Sequence, residues 1–317
     1  MNESRTGEHS QGLVETSPIV AFIKRLFGGK TPTRPGVVVP AATAPLISPN
    51  ETAPLQPLVA GAAPIKFAHA QSVGRLRDHN EDTLLTLTST FEGDERIPSF
   101  GLYVVADGMG GHNLGERASA VAARSVAYEV ARRVYLAILN EDHGDERAPL
   151  QEVLLAALTE ANRSVGRAVG EGGTTGTVAL IFNDQLIIGH VGDSRAYIIT
   201  NTGLEQLTRD HSLVQRLQEL GQLTPAEAAV HPQRNVLYRA IGQGEGLEVD
   251  VHSHRLSGGM KILLCSDGLW GLVNDQLIMD IVWKAADLQT ACNQLVVAAN
   301  AAGGPDNITA VLIEYSL

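Results

Sequence analysis

An α+β domain of antiparallel sheets covered by helices is the fold class this sequence predicts, and three observations predict it. Strand-length apolar runs come in groups. Two pairs of helical stretches interrupt those groups, and the one-for-one strand and helix alternation of a doubly wound parallel sheet is missing. The chain has 317 residues, enough for a large core, and no run of about 18 apolar residues that could span a bilayer.

The elements follow in order. Strands are predicted at 65–73, 82–90 and 99–106, from period-two or continuous apolar character. A helix over 114–140 puts Leu114, Ala118, Val121, Ala122, Val126, Val130, Val134 and Ile138 on one side, and a second over 149–168 should pack against it. Strands at 176–182, 185–192 and 195–200 come next, then a helical insert around 212–230. Further strands are expected at 235–241, 247–253 and 261–266, a second helix pair over 274–302, and a last strand at 307–315.

Composition changes near residue 65. Residues 31–64 hold eight of the 14 prolines and show no periodicity, so they read as a linker. In the extended polyproline form it would reach on the order of 100 Å. Before it, "SPIVAFIKRLFGGK" (17–30) has Ser17 as N-cap, Pro18 at the first helical position, Ile19, Phe22, Ile23 and Leu26 on one face, and Gly28-Gly29 as a stop. Two readings stand for residues 1–64: a disordered extension with a transient turn, or a docking element for a partner protein or an anionic membrane surface. No secretory signal is visible at the amino terminus, and Cys265 and Cys292 form no metal or disulfide pattern, so a cytoplasmic location is expected. A formal charge of −11 argues against a nucleic-acid partner and fits a protein whose carboxylates hold cations.

Those carboxylates stand at element edges. Glu81 and Asp82 precede a strand, Asp107 and Asp267 each end one, and Asp306 precedes the last. Each alone reads as a turn or cap residue. Together they would converge, and two such charges about 4 Å apart repel by roughly 4 kcal/mol even at an effective dielectric of 20. Oxygen-only ligands without Cys or His suit a hard cation, Mg²⁺ or Mn²⁺, and no 12-residue calcium loop is present. Lacking a side chain, Gly108 would let its backbone carbonyl approach an ion that Asp107 already touches. A pair of such ions about 3.5 to 4 Å apart readies a water for attack on phosphorus. Arg77, four residues before Glu81, is placed to grip phosphoryl oxygens. Other chemistries fit less well: neither cysteine has an arginine six residues on, "VGDSRAY" is no nucleophile elbow, and "GGTTGT" lacks a G-K-[ST] ending.

At these residues the chain resembles the metal-dependent serine/threonine protein phosphatases of the type 2C, or PPM, family. The motifs run in family order over about residues 65–317: "GRLRDHNED", "VADGMGGHNLGE", "GGTTGTVALI", "GHVGDSRAY", "LTRDHSLVQRL", "HPQRNVLYRAIG", "LLCSDGLWGLV" and "GGPDNITAVLI". The "DGMGGH" form is similar to the bacterial branch. The resemblance implies a four-layer α-β-β-α sandwich, two antiparallel sheets flanked by helix pairs, with the metals in a cleft at one end. It implies that Asp107 bridges two Mn²⁺ or Mg²⁺ ions, that Gly108 completes the second site with Glu81 or, through water, Asp82, and that Asp267 and Asp306 complete the first. Asp193 would share a third ion with Asp267, unless it only makes an Asx turn beside Ser194. Arg77 corresponds to the phosphate-binding arginine, and residues 209–233 to a mobile flap. Where animal relatives carry a histidine after Asp-Gly, this chain has Met109, which cannot donate a proton; His112 is a candidate donor, or else a solvated or structural histidine.

The function expected is hydrolysis of phosphoserine and phosphothreonine in phosphoproteins through a metal-bridged water, by a cytoplasmic monomer opposing a cognate Ser/Thr kinase. Three rivals are an inactive scaffold on the same fold, a two-metal hydrolase of small phosphate esters, and an enzyme carried as cargo by its amino-terminal segment.

Overall fold

The structure, a computed structural model, describes residues 65–91, 97–110, 114–140, 148–244 and 246–316. The expected segment 17–30 and the linker 31–64 lie outside the described residues, as does His112. Two sheets form the centre. The first runs in the order β1 (Ile65–Ser72), β11 (Ile308–Tyr315), β10 (Lys261–Cys265), β7 (Arg195–Thr200) and β8 (Gly203–Gln206). The second runs β2 (Asp82–Ser89), β3 (Phe100–Met109), β5 (Gly176–Phe182), β6 (Gln185–Val191) and β9 (Asp250–Arg255), with the short β4 (Gly173–Thr174) paired to the end of β3. Every pairing is antiparallel.

Alternation along single strands builds the layers. In β3, Tyr103 and Val105 face a core shared with Ile262, Leu264, Val311 and Ile313 of the other sheet. Leu102 and Val104, pointing the opposite way, meet α1 (Leu114–Val130) and α2 (Leu150–Val169). Such strands are buried on both faces, which is why they read as continuous apolar runs instead of alternating ones. On the far side, Leu263, Ala310 and Leu312 pack against α6 (Asp275–Lys284) and α7 (Leu288–Ala301). Three apolar cores therefore separate four layers, helix pair, sheet, sheet, helix pair. Side-chain caps start the second pair: Asn274 accepts from Leu277 N at 3.0 Å and Asp287 from Thr290 N at 2.7 Å.

The helix expected over 114–140 is continuous, but α1 passes through a π-helical turn at Ala131–Tyr135 before ending at Ile138. Ala118, Ala122, Val126, Val130 and Val134 are buried as expected, while Leu114, Val121 and Ile138 are only half-buried. The insert 212–230 is two short helices, α3 (Leu213–Glu219) and α4 (Pro225–Ala229), broken at Gly221, whose φ is +69°. Thr224 and Glu227 form a capping box that restarts the chain as α4.

The strand expected at 235–241 is absent. That segment makes only two isolated bridges, Leu237 to Ser212 and Ile241 to Thr174, so it crosses two different partners instead of running beside one. Its apolar residues divide accordingly, with Val236 and Tyr238 exposed and Ala240 and Ile241 buried. β9 starts at Asp250, later than the expected 247, and the short β4, β8 and α5 (Asp267–Trp270) were not anticipated.

Leu154 on α2 is fully buried in the core between the helix pair and the second sheet. Leu154→Ala is expected to destabilise the domain by about 2–5 kcal/mol, the usual range for a buried leucine that leaves a cavity; urea unfolding at fixed metal concentration measures it.

Candidate metal centre

The first acids arrive on a loop laced to the other sheet. Gly74 has φ +85°, and a Cβ there would lie 2.2 Å from the carbonyl oxygen of Asp306, so only glycine lets residues 73–81 lie against 304–307. Asn307, almost fully buried, holds the two together: its Oδ1 accepts from Glu81 N at 2.7 Å, and its Nδ2 donates to the carbonyls of Val73 and His79, both at 2.9 Å. Asp82 then enters β2 directly opposite Asp107 of β3. One of its carboxylate oxygens accepts from Ser266, just past the end of β10, at 2.8 Å and from Thr309 of β11 at 2.6 Å. The sandwich closes at this end around a carboxylate.

Asp107 is fixed through its backbone. Its N–H donates to Thr175 Oγ1 at 2.8 Å, while its carbonyl accepts from Thr175 N and Thr174 Oγ1, both at 2.8 Å. Next to it, a Cβ on Gly108 would stand 2.2 Å from the Gly115 carbonyl oxygen and 2.7 Å from that of Glu81. The glycine therefore allows the first turn of α1 to sit on the end of β3. This packing reason is distinct from the access to its carbonyl that the sequence suggested.

The acids converge. Asp107 lies within hydrogen-bonding reach of Asp267 and feels the charges of Asp82, Asp193 and Asp306 as well. Burial first, and then these neighbours, hold Asp107 well above the usual carboxylate range. Burial, then Asp267 and Asp210, does the same to Asp193. Burial pushes Asp82 up to about 7 against the pull of its two hydroxyl donors, and pushes Asp267 up to about 6 with help from Asp306. Glu81 stands at the rim with its carboxylate 3.7 Å from Arg77 Nη1 and 3.4 Å from His79 Nε2. Arg77, nearly half exposed, donates to Asp306 at 2.8 Å.

Whether these groups suit divalent ions is answered by their oxygens. Asp82 Oδ1 and Asp267 Oδ1 are buried and have no hydrogen-bond partner, a costly arrangement for a carboxylate unless a cation takes those lone pairs. Among the described residues no three His, Cys, Asp or Glu side chains form a closed cage on their own. The residues present fit such ions.

Asp193 sits on a tight loop after β6, and apart from Ser194 its support is a set of residues that sequence reasoning did not single out. Ser194 bonds Thr175 at 2.8 Å, Thr177 Oγ1 donates to the Ser194 carbonyl at 2.9 Å, and Trp270 Nε1 donates to the Asp193 carbonyl at 3.0 Å. His211 Nδ1 accepts from Gly192 N at 3.1 Å while His211 N donates to the Gly192 carbonyl at 2.7 Å. His211 also stands at the root of the 209–233 segment, where Tyr238 N donates to its carbonyl. Its ring rests on His190, which burial pushes down to about 3 and so keeps neutral. A cavity of about 380 Å³ opens between this segment and the acids, reaching Asp193, Asp267 and Asp306 on one wall and Gln215, Gln218 and Arg234 on the other. Asn307 directly after Asp306 and Ser266 directly before Asp267 were the available sequence signals for the neutral supports. His211 had none beyond its place in "TRDHS".

A carboxyl whose folded pKa is raised favours folding below its unfolded value near 3.9, and that gain disappears as pH climbs through the folded value. In chelator, then, Asp107, Asp82 and Asp267 should work against folding increasingly between pH 4 and pH 8. Asp107→Asn is expected to raise Tm at pH 8, by on the order of 2–4 °C for each kcal/mol of repulsion relieved, and to change it little near pH 4. Thermal melts of both proteins across that range check this; a pH-independent difference would speak against strain among the acids.

The chain matches the family model described as Protein phosphatase 2C over residues 69–308. It is 36% identical over 244 residues to the serine/threonine phosphatase stp of Listeria welshimeri, covering 77% of this chain and 93% of that protein. Among solved structures, the Streptococcus agalactiae serine/threonine phosphatase superposes with a TM-score of 0.68 at 31% identity, covering 80% of this chain and all of the other. The catalytic domain of the serine/threonine protein phosphatase PstP, solved in complex with two manganese ions, superposes with a TM-score of 0.63 at 29% identity, covering 80% of this chain and 99% of that one. The two antiparallel sheets and their flanking helices superpose on those solved structures, and the chain belongs to the protein phosphatase 2C family.

Proposed function

We propose that the chain is a metal-dependent protein phosphatase that removes phosphate from phosphoserine and phosphothreonine in phosphoproteins. The observation that carries this reading is the gathering of carboxylates from both sheets, with unpartnered buried oxygens on Asp82 and Asp267, beside an exposed arginine. Two Mn²⁺ or Mg²⁺ ions would supply Lewis acidity toward phosphoryl oxygens and an acidified water. Asp107 is assigned to both ions, Glu81 and the Gly108 carbonyl to one with Asp82 acting through water, and Asp267 and Asp306 to the other. Asp193 with Asp267 would take a third. The PstP structure with two manganese ions supports the number.

The chain's own residues then have defined tasks. Arg77 binds two phosphoryl oxygens in a bidentate grip and orients the ester toward the acids. Asn307, Ser266 and Thr309 keep Glu81 and Asp82 from drifting as charge changes around them. Thr174 and Thr175 hold the Asp107 main chain so that its carboxylate keeps one orientation. Met109 donates no proton. The names of the relatives support phosphoproteins as substrates and, by extension, a cognate Ser/Thr kinase that the enzyme opposes. Residues 65–317 are assigned to the phosphatase domain, and on sequence grounds residues 31–64 to a tether for the segment before them. Two buried free cysteines suit a reducing cytoplasm, and among the described residues no helix is long and apolar enough to cross a membrane.

Purified protein stripped with chelator should hydrolyse a phosphothreonine peptide only after Mn²⁺ or Mg²⁺ is restored. Preference for sugar phosphates over phosphopeptides would overturn the assignment of substrate. Asp107→Asn should lose at least about a hundredfold in kcat, because one substitution weakens both ion sites. Arg77→Ala should raise KM by about tenfold with a smaller change in kcat; a variant losing turnover at unchanged KM would remove Arg77 from phosphate binding.

A further inference from the structure

Behind the root of the 209–233 segment lies a second feature, away from the acids. A recess of about 410 Å³ is lined by Arg209, Arg216, Tyr238 and Arg239, three guanidinium groups and a phenol with no carboxylate among the lining residues. Acids outside the recess hold the guanidiniums by one edge: Glu219 takes Nε and Nη2 of Arg209 and Nη1 of Arg216, while Asp250 and Glu248 take the two terminal nitrogens of Arg239. The other edges remain open. Arg209 Nη1, Arg216 Nε and Nη2, Arg239 Nε and the Tyr238 hydroxyl make no hydrogen bond to any described residue. The Arg239 guanidinium lies 5.7 Å from the Tyr238 ring, a contact that further limits its motion.

The recess adjoins a second hollow, which Glu248 also lines. This hollow of about 380 Å³ shares Tyr238 and Arg239 and extends to Gln243. Gln243 Nε2 in turn contacts Met109 Sδ at 3.6 Å, one residue from Gly108. A peptide lying along Met109, Gln243 and Tyr238 would thus bring a neighbouring side chain to the arginines.

We propose that this recess binds a second phosphate monoester on the same phosphoprotein, near the one being hydrolysed. This rests on the phosphatase reading above and goes beyond it by naming a substrate class, multiply phosphorylated segments. A phosphate monoester fits better than a carboxylate because it offers three charged terminal oxygens to the several open donors of the lining residues, whereas a carboxylate offers two. With no carboxylate lining it to hold cations, the recess binds without hydrolysing.

The test uses the full chain with Mn²⁺ and a series of phosphothreonine peptides. Each carries a hydrolysis-resistant phosphonate analogue of phosphoserine about two to eight residues to either side, a reach of roughly 7 to 26 Å when extended. At one or more spacings KM should fall about tenfold relative to the singly phosphorylated peptide, as expected for a few new charge-assisted hydrogen bonds. Arg216→Ala should abolish that advantage while kcat and KM for the singly phosphorylated peptide stay unchanged, and Arg216→Lys should restore part of it. Arg216 suits the test because it is exposed, makes one weak contact and sits in α3, where alanine is well tolerated. No spacing with a lower KM, or an advantage that survives Arg216→Ala, overturns the proposal. An equal advantage from glutamate in place of the phosphonate overturns its phosphate selectivity. If the wild-type protein hydrolyses no phosphopeptide, the phosphatase reading fails instead. Calorimetric binding of the phosphonate peptides to wild type and Arg216→Ala then decides the recess separately, and equal affinities would sink it.

Discussion

Five aspartates brought to one end of two packed sheets set a constraint that most of the local structure answers. Burial raises the proton affinity of Asp82, Asp107, Asp193 and Asp267, and their mutual repulsion raises it further for each. An ionised carboxylate taken out of water without a partner costs several kcal/mol, so such a cluster persists only where the rest of the fold holds its backbone in place. The supporting bonds are mostly neutral. Asn307, Ser266, Thr309, Thr174 and Thr175 carry no charge, and they fix position without neutralising the field that a cation would meet. Lysines or arginines in those places would have stabilised the domain and weakened its hold on divalent ions.

A second consequence concerns the segment 209–233. Its two ends are joined to each other by the bridge between Ser212 and Leu237 and by the Tyr238 to His211 backbone bond. His211 then ties that root to Gly192, the residue before Asp193, through both its ring and its main chain. Arg195, after the same loop, forks onto Asp210 at 2.9 and 2.7 Å and stacks on Trp270, whose indole holds the Asp193 carbonyl. The cavity wall formed by Gln215, Gln218 and Arg234 is therefore built on the same bonds that position Asp193. A shift of the segment's root cannot leave the Asp193 loop untouched.

How much of this the sequence could disclose follows from where each signal resides. Strands buried on both faces betray themselves as unbroken apolar runs, as in β3 and β10, and acids at their ends need only chain order to be noticed. The four layers and the residues that meet at the site were legible for that reason. The segment 235–241 misled because Val236, Tyr238 and Ala240 have the spacing of a strand, yet whether a strand forms depends on a neighbour to pair with, and two different neighbours were in reach. The π-helical turn at 131–135 and the contacts of His211 are equally invisible, since both depend on packing between distant parts of the chain. Gly108 carries a sequence expectation of carbonyl access to an ion, while its tight contact with Gly115 depends on packing that no local pattern signals.

The bond between Arg77 and Asp306 joins the two functions of the site. Arg77 is the positive group closest to the acids, and its guanidinium is engaged by Asp306 at 2.8 Å and drawn toward Glu81 at 3.7 Å. Those same carboxylates are the ones assigned to hold cations. A side chain that serves as the counter-charge of a ligand set cannot at full strength also grip a phosphoryl group, because a bidentate hold on two oxygens needs the Nη atoms that Asp306 and Glu81 now attract. Release of the arginine to substrate therefore requires that Asp306 find another positive partner. Whatever satisfies Asp306 lowers the cost of binding phosphate, and by linkage bound phosphate, in drawing Arg77 away, strengthens the acids' demand for cations by the same factor. On the roles proposed for Arg77 and Asp306, cation and substrate would be coupled through one guanidinium.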